Sequence, residues 1–186
     1  YADFIANYIL DNHLDRPVLI GHSMGSILVA ATAEKYSHLI HDKIFFLSPI
    51  ATHPPKFILP LIPLMALVPN KFVDYVCTEF LIASAHRPKK RQILDLTYEC
   101  SRKITSVRDE IRAAVFSMSH SISDFNFKKQ AYFIAGSKDR MNPSRKVKEI
   151  AKKFHAEVDF IPNAGHLINY EVPEKIAELA LPKLKD

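Results

Sequence analysis

Cysteine is scarce: Cys77 and Cys100 are the only two in 186 residues. Two such distant thiols make neither a metal-binding nor a redox spacing, and they are too few for a disulfide framework, so both read as reduced structural side chains. Long apolar runs are missing too. The most apolar stretch, Phe57 to Val68, is broken by Pro60 and Pro63 and stays short of the ~20 residues that a membrane-spanning helix needs. No membrane span is predicted, and with no signal-like segment after Tyr1 a cytoplasmic location is expected. Aromatics are absent from the one concentrated basic run, His86 to Arg91. A net charge of +5 and a pI near 9.1 raise the question of an anionic partner, but a nucleic-acid surface spreads its cations over a face and adds stacking rings. The run therefore reads as a solvated loop or helix start, and no nucleic-acid partner is expected. There is no internal repeat, low-complexity segment or flexible linker.

What is present is an alternation of strand and helix signals. Phe4, Ile5, Tyr8 and Ile9 recur at helical spacing, and Val18-Leu19-Ile20 then forms a short apolar run closed by Gly21, as in a strand buried on both faces. Met24 to Lys35 is rich in small helix formers, and Ile44 to Leu47 is the next strand. The rhythm resumes with a strand from Ala131 to Ala135. Asn142 is positioned to cap a helix with Pro143 at its first position and an inward stripe of Val147, Ile150, Ala151 and Phe154. A fourth strand spans Val158 to Ile161, and Pro173 opens a last helix with Ile176, Ala177, Leu179 and Ala180 facing inward. This order predicts an α/β architecture, a parallel sheet of about four strands with helices on both faces. Residues 1–48 and 125–186 form the core, and 49–124, Pro-punctuated and without strand character, form an inserted helical cap.

Glycine is the most telling scarcity, because the four present, Gly21, Gly25, Gly136 and Gly165, all fall in turns that could carry chemistry. Gly21-His22-Ser23-Met24-Gly25 is a G-x-S-x-G motif set between a buried strand and an Ala-rich helix. That is the context in which a serine hydroxyl is held above a sheet by a tight, strained turn, with glycines needed on both sides. The helix starting at Met24 aims its amino terminus at the same point, so the Met24 amide is the candidate oxyanion donor.

A serine nucleophile needs a base, and the base needs an acid to fix its tautomer. Of the nine histidines, His166 is the best placed, because Asn163-Ala164-Gly165-His166 directly follows the last strand, in a loop at the carboxyl edge of the sheet. Asp139 follows the strand ending at Gly136, on the same edge. The loop after the Ile44 strand offers no acid before Asp74. Ser23, Asp139 and His166 are thus the candidate catalytic residues. Phe57, Leu61 and Met65 in the insertion, with His22 beside the serine, are candidates for contact with an apolar substrate. No metal site and no cofactor are expected.

The serine, acid, histidine order, the elbow, and Gly165-His166 followed by Glu171-Val172-Pro173-Glu174 resemble the α/β-hydrolase superfamily, in its cap-bearing serine esterase or lipase-like form. The resemblance implies hydrolysis of a small-molecule ester through an acyl-enzyme. Thioester or carbon–carbon bond hydrolysis by the same triad, or a non-catalytic binding module on the same fold, are the alternatives. It also implies an eight-stranded sheet, of which the four read here correspond to the strands from the elbow onward. A second oxyanion amide and a neighbour for the Val18 strand would then come from a preceding segment or from a second copy in a homo-oligomer.

Overall fold

A computed structural model describes residues 1–53, 75, 78–104 and 107–185. Four parallel strands, β1 (Leu19–His22), β2 (Lys43–Leu47), β3 (Gln130–Gly136) and β4 (Glu157–Ile161), lie side by side in chain order. The helices are α1 (Ala2–Asp11), α2 (Met24–Lys35), α3 (Lys90–Ile104), α4 (Val107–Ser119), α5 (Ser144–Lys153), α6 (Ile168–Glu171) and α7 (Pro173–Lys185). The central strands are apolar at odd and even positions alike, which only a sheet covered on both faces can satisfy. On one face Ile44, Phe46, Ala131 and Phe133 pack with Ile9 of α1, Ile27 and Ala30 of α2, and Val147 and Ile150 of α5. Phe45, Leu47, Tyr132 and Ile134 meet Ile168 and Ala180 on the other. Each fully buried Phe or Ile contributes roughly 1.5–3 kcal/mol relative to exposure, so β2 and β3 anchor the domain.

The expected architecture holds, with local corrections. β1 does not stop at Gly21; it continues through His22, Gly21 pairing with Phe46 and His22 with Leu47. Gly21 serves close approach and does not end the strand, because a Cβ there would collide with the Gly25 carbonyl. Asn142 does not cap α5, which begins at Ser144; its Oδ1 instead accepts from the Ala51 amide at 3.2 Å. On α7, Ala180 is buried and Ile176 and Leu179 pack on the second core, but Ala177 is exposed, so the contact stripe is one residue narrower than expected.

The helical spacing in α1 is real, yet only part of its apolar surface is covered. Ala6 and Ile9 are buried against α2, while Phe4 is 72% exposed and Tyr8 55%. Ile20, on β1, is 53% exposed, and among the described residues β1 pairs with β2 alone.

Between β2 and β3 the described residues contain helices and no strand. The basic run begins in a short 3-10 helix, Ser84–Lys89, and continues into α3; Arg87 of the first and Lys90 of the second both pair with Glu79. Among the described residues, no helix is long and apolar enough to cross a membrane.

Candidate active site

β1 ends at His22 and α2 begins at Met24, so Ser23 alone makes the turn between them. It does so with φ 51° and ψ −117°, a conformation that costs a non-glycine residue about 1–3 kcal/mol. Neighbours hold it there. The Ser23 amide donates to the Leu47 carbonyl at 3.0 Å, and the Ser23 carbonyl accepts from the Ser26 amide at 3.0 Å and the Ser26 hydroxyl at 2.5 Å. The Ser26 Oγ in turn accepts from the Ile50 amide at 3.2 Å, which ties the turn to the end of β2. Met24, as the first residue of α2, has an amide with no partner inside the helix. Gly25, by contrast, has open space where a Cβ would stand and no positive φ. The expectation that the turn needs a glycine on both sides is met only at Gly21.

Asp139 and His166 come from the loops after β3 and β4, and both are buried, at 6% and 1% exposure. The loops nest because Gly136 has no side chain: a Cβ there would run into the carbonyls of Ala164 and Gly165. The Ser137 amide donates to the Ile161 carbonyl at 3.0 Å and the Lys138 amide to that of Ala164 at 2.8 Å. So placed, His166 Nδ1 lies 2.8 Å from Asp139 Oδ2 and His166 Nε2 2.9 Å from Ser23 Oγ. The other Asp139 oxygen accepts from the amides of Met141 at 2.8 Å and Asn142 at 2.9 Å. With the carboxylate accepting from Nδ1–H, Nε2 is left as the lone-pair nitrogen facing the serine hydroxyl. A hydroxyl, an imidazole and a buried carboxylate in this line can pass a proton from oxygen to nitrogen as the oxygen attacks a carbonyl.

His22, expected at the substrate, lies beside the His166 ring, with ring centroids 5.3 Å apart. Its Nε2 stands 2.9 Å from the His166 backbone carbonyl, an acceptor, so Nε2 carries the proton and donates. Burial lowers its pKa from 6.5 to about 4, so the ring is neutral at ordinary pH. The consequence for stability has a definite sign. Between pH 6.5 and about 4 the unfolded chain takes up a proton that the fold refuses, so this contribution is complete above 6.5 and declines as pH falls. Its ceiling is on the order of 3 kcal/mol. His22→Gln keeps an N–H donor and cannot titrate, so its denaturant midpoint is expected to fall less than the wild type's between pH 7 and pH 4.5. Equal falls in the two proteins would remove His22 as the source.

Of the other predicted contacts, Phe57, Leu61 and Met65 lie outside the described residues. No group of His, Cys, Asp and Glu among the described residues could hold a metal ion. Asn142 and Ser26 brace the site although neither stood out in the sequence as a site residue; Asn142 resembled a helix cap, and Ser26 lies just past the motif.

The model of the alpha/beta hydrolase family matches residues 1–179, nearly the whole chain. The chain belongs to the alpha/beta hydrolase family. Solved structures of family enzymes superpose on it. An esterase from Exiguobacterium antarcticum does so with a TM-score of 0.84 at 16% identity, over 100% of this chain and 72% of that one. The hydrolase MGS-M2 from a Medee basin deep-sea metagenome library gives 0.79 at 20% identity, over 100% and 70%. An enol-lactonase from Burkholderia xenovorans LB400 gives 0.81 at 12% identity, over 100% and 72%. Likeness at these identities speaks to the fold. No match is found among curated proteins.

Proposed function

We propose that the chain carries the catalytic residues of a serine hydrolase that cleaves carboxylic esters. The observation that carries this reading is the unbroken line from Ser23 Oγ through the His166 ring to the buried Asp139 carboxylate. Ser23 Oγ attacks the ester carbonyl while its proton passes to His166 Nε2, and Asp139 balances the imidazolium that forms. The tetrahedral oxyanion faces the Met24 amide at the positive end of α2. Collapse breaks the bond to the alkoxy group, which leaves as an alcohol with the proton from His166. Water then attacks the acyl-enzyme, His166 takes a proton from it, and the acid departs as Ser23 Oγ regains its hydrogen. No cofactor enters these steps. In this reading residues 49–124 form a helical cap, and the apolar Phe57 to Val68 stretch favours apolar acyl groups.

A fluorophosphonate probe tests the reading directly, since phosphonylation requires an activated serine. One adduct is expected, mapping to Ser23 by peptide mass and absent after prior treatment with an ester-type serine inhibitor. A non-catalytic binding module with the same fold accumulates no adduct, and that result would overturn the proposal.

A further inference from the structure

One fully buried carboxylate stands outside the Ser23, His166 and Asp139 line. Glu171, at the end of α6, has 0% exposure. Its Oε2 accepts from the Gly165 amide at 2.9 Å and from the Ala83 amide at 3.1 Å, and Oε1 accepts from the Gly165 amide at 3.1 Å. It therefore joins two segments far apart in sequence: the loop that carries His166, and residues 81–83 of the insertion between β2 and β3.

The junction is built from several sides. The His166 amide donates to the Leu81 carbonyl at 2.7 Å. A Cβ on Gly165 would meet the Leu81 carbonyl, the Ala83 amide and Glu171 Oε1, so the two backbones touch without a side chain between them. Leu167 packs with Ile82 and Ile93, and Leu81 and Tyr170 close the cluster. With His22 holding the His166 carbonyl, the peptide unit of His166 is fixed at both ends. A buried carboxylate is unfavourable unless its hydrogen bonds are supplied, and here backbone amides from both segments supply them. An apolar residue would fill the space, but it could not tell one register of the two segments from another.

We propose that Glu171 is a positioning residue: it fastens the 81–83 segment to the His166 loop, so that the seating of the insertion sets the distance from His166 to Ser23. The idea rests on the serine hydrolase reading for its kinetic consequences only. Misplacing a reacting group by about 1 Å can cost about a hundredfold in rate. Loosening this junction acts on the reacting geometry and leaves substrate contacts alone, so it lowers kcat with little change in KM.

The test uses the full-length protein and two variants that break the junction from opposite sides. Glu171→Gln keeps the size and one acceptor oxygen. Ala83→Pro deletes the one amide of the 81–83 segment that donates to Glu171 and sets a ring carbon against Oε2, so it opens the junction from the insertion side. Ala83 has φ −73° and ψ 150°, which proline adopts, so the path of the backbone at this position suits the substitution, and circular dichroism selects the folded variants that are compared. Each is expected to lose roughly 10- to 100-fold in kcat on a p-nitrophenyl ester, with KM within about threefold of wild type. The acid limb of kcat/KM against pH is expected to move, because it reports the free enzyme's base. The proton on His166 Nδ1, shared with Asp139, gives an independent NMR reading of His166 that needs no turnover. If the wild type neither hydrolyses esters nor takes the fluorophosphonate, the hydrolase reading fails, while a shift of that proton in folded Ala83→Pro still supports the positioning role. Folded variants with wild-type kcat, pH profile and His166 proton signal would overturn it.

Discussion

Ser23→Ala is expected to remove at least about a thousandfold of kcat on a short p-nitrophenyl ester while leaving the fold in place, since loss of a nucleophile typically costs several orders of magnitude. The fold survives because nothing structural hangs on the hydroxyl. Among the described residues the hydroxyl bonds only His166 Nε2, at 2.9 Å, whereas the turn is held by the Ser23 amide and carbonyl, which alanine retains. Alanine meets the same steric penalty at φ 51° as serine, so thermal unfolding should stay within a few degrees of wild type. Kinetics and circular dichroism on the same preparation decide it. A loss of less than about tenfold in a well-folded variant would show that another residue attacks the substrate.

Asp139→Asn separates geometry from chemistry. The asparagine oxygen can still accept from the Met141 and Asn142 amides, so the loop keeps its shape. What remains toward His166 Nδ1 is then an NH2 group, a donor where an acceptor stood. The imidazole answers by moving its hydrogen to Nε2, which places N–H against the serine hydroxyl and leaves no lone pair to take its proton. A drop of about ten-thousandfold in kcat is typical when a triad acid is changed in this way. Fluorophosphonate labelling should slow in parallel, because it needs the same deprotonation. Retention of more than a tenth of the activity would reduce Asp139 to a backbone cap of its own loop.

The parts of this molecule that were legible in the sequence are those whose cause is local. Ile44 to Leu47 and Ala131 to Ala135 are apolar at every position, and only a strand covered on both faces uses such a run, so their placement in the sheet could be read directly. Ser23, Asp139 and His166 could be read because each lies within three residues of one of only four glycines, in the turn or loop that follows a strand. Boundaries were less secure. Gly21 looked like a strand terminator because its role, letting α2 approach, depends on a carbonyl four residues away. The bracing of the site could not be read at all. Asn142 reaches Ala51 and His22 reaches His166 across 91 and 144 residues, and no periodicity or motif encodes those pairs. Asn142 before Pro143 has the local look of a helix cap, and the local signal lost to a distant partner.

With Ser23 as the proposed nucleophile, its conformation sets stability and activity against each other at one position. Glycine would take φ 51° without steric cost, relieving about 1–3 kcal/mol against an entropic cost of about 0.5–1 kcal/mol, and would carry no hydroxyl. The most heat-resistant residue for that turn is therefore one that cannot attack an ester. A screen that scores only thermal tolerance drifts toward Ser23→Gly and discards the chemistry, so any improvement of this protein by selection has to hold turnover as a condition from the first round.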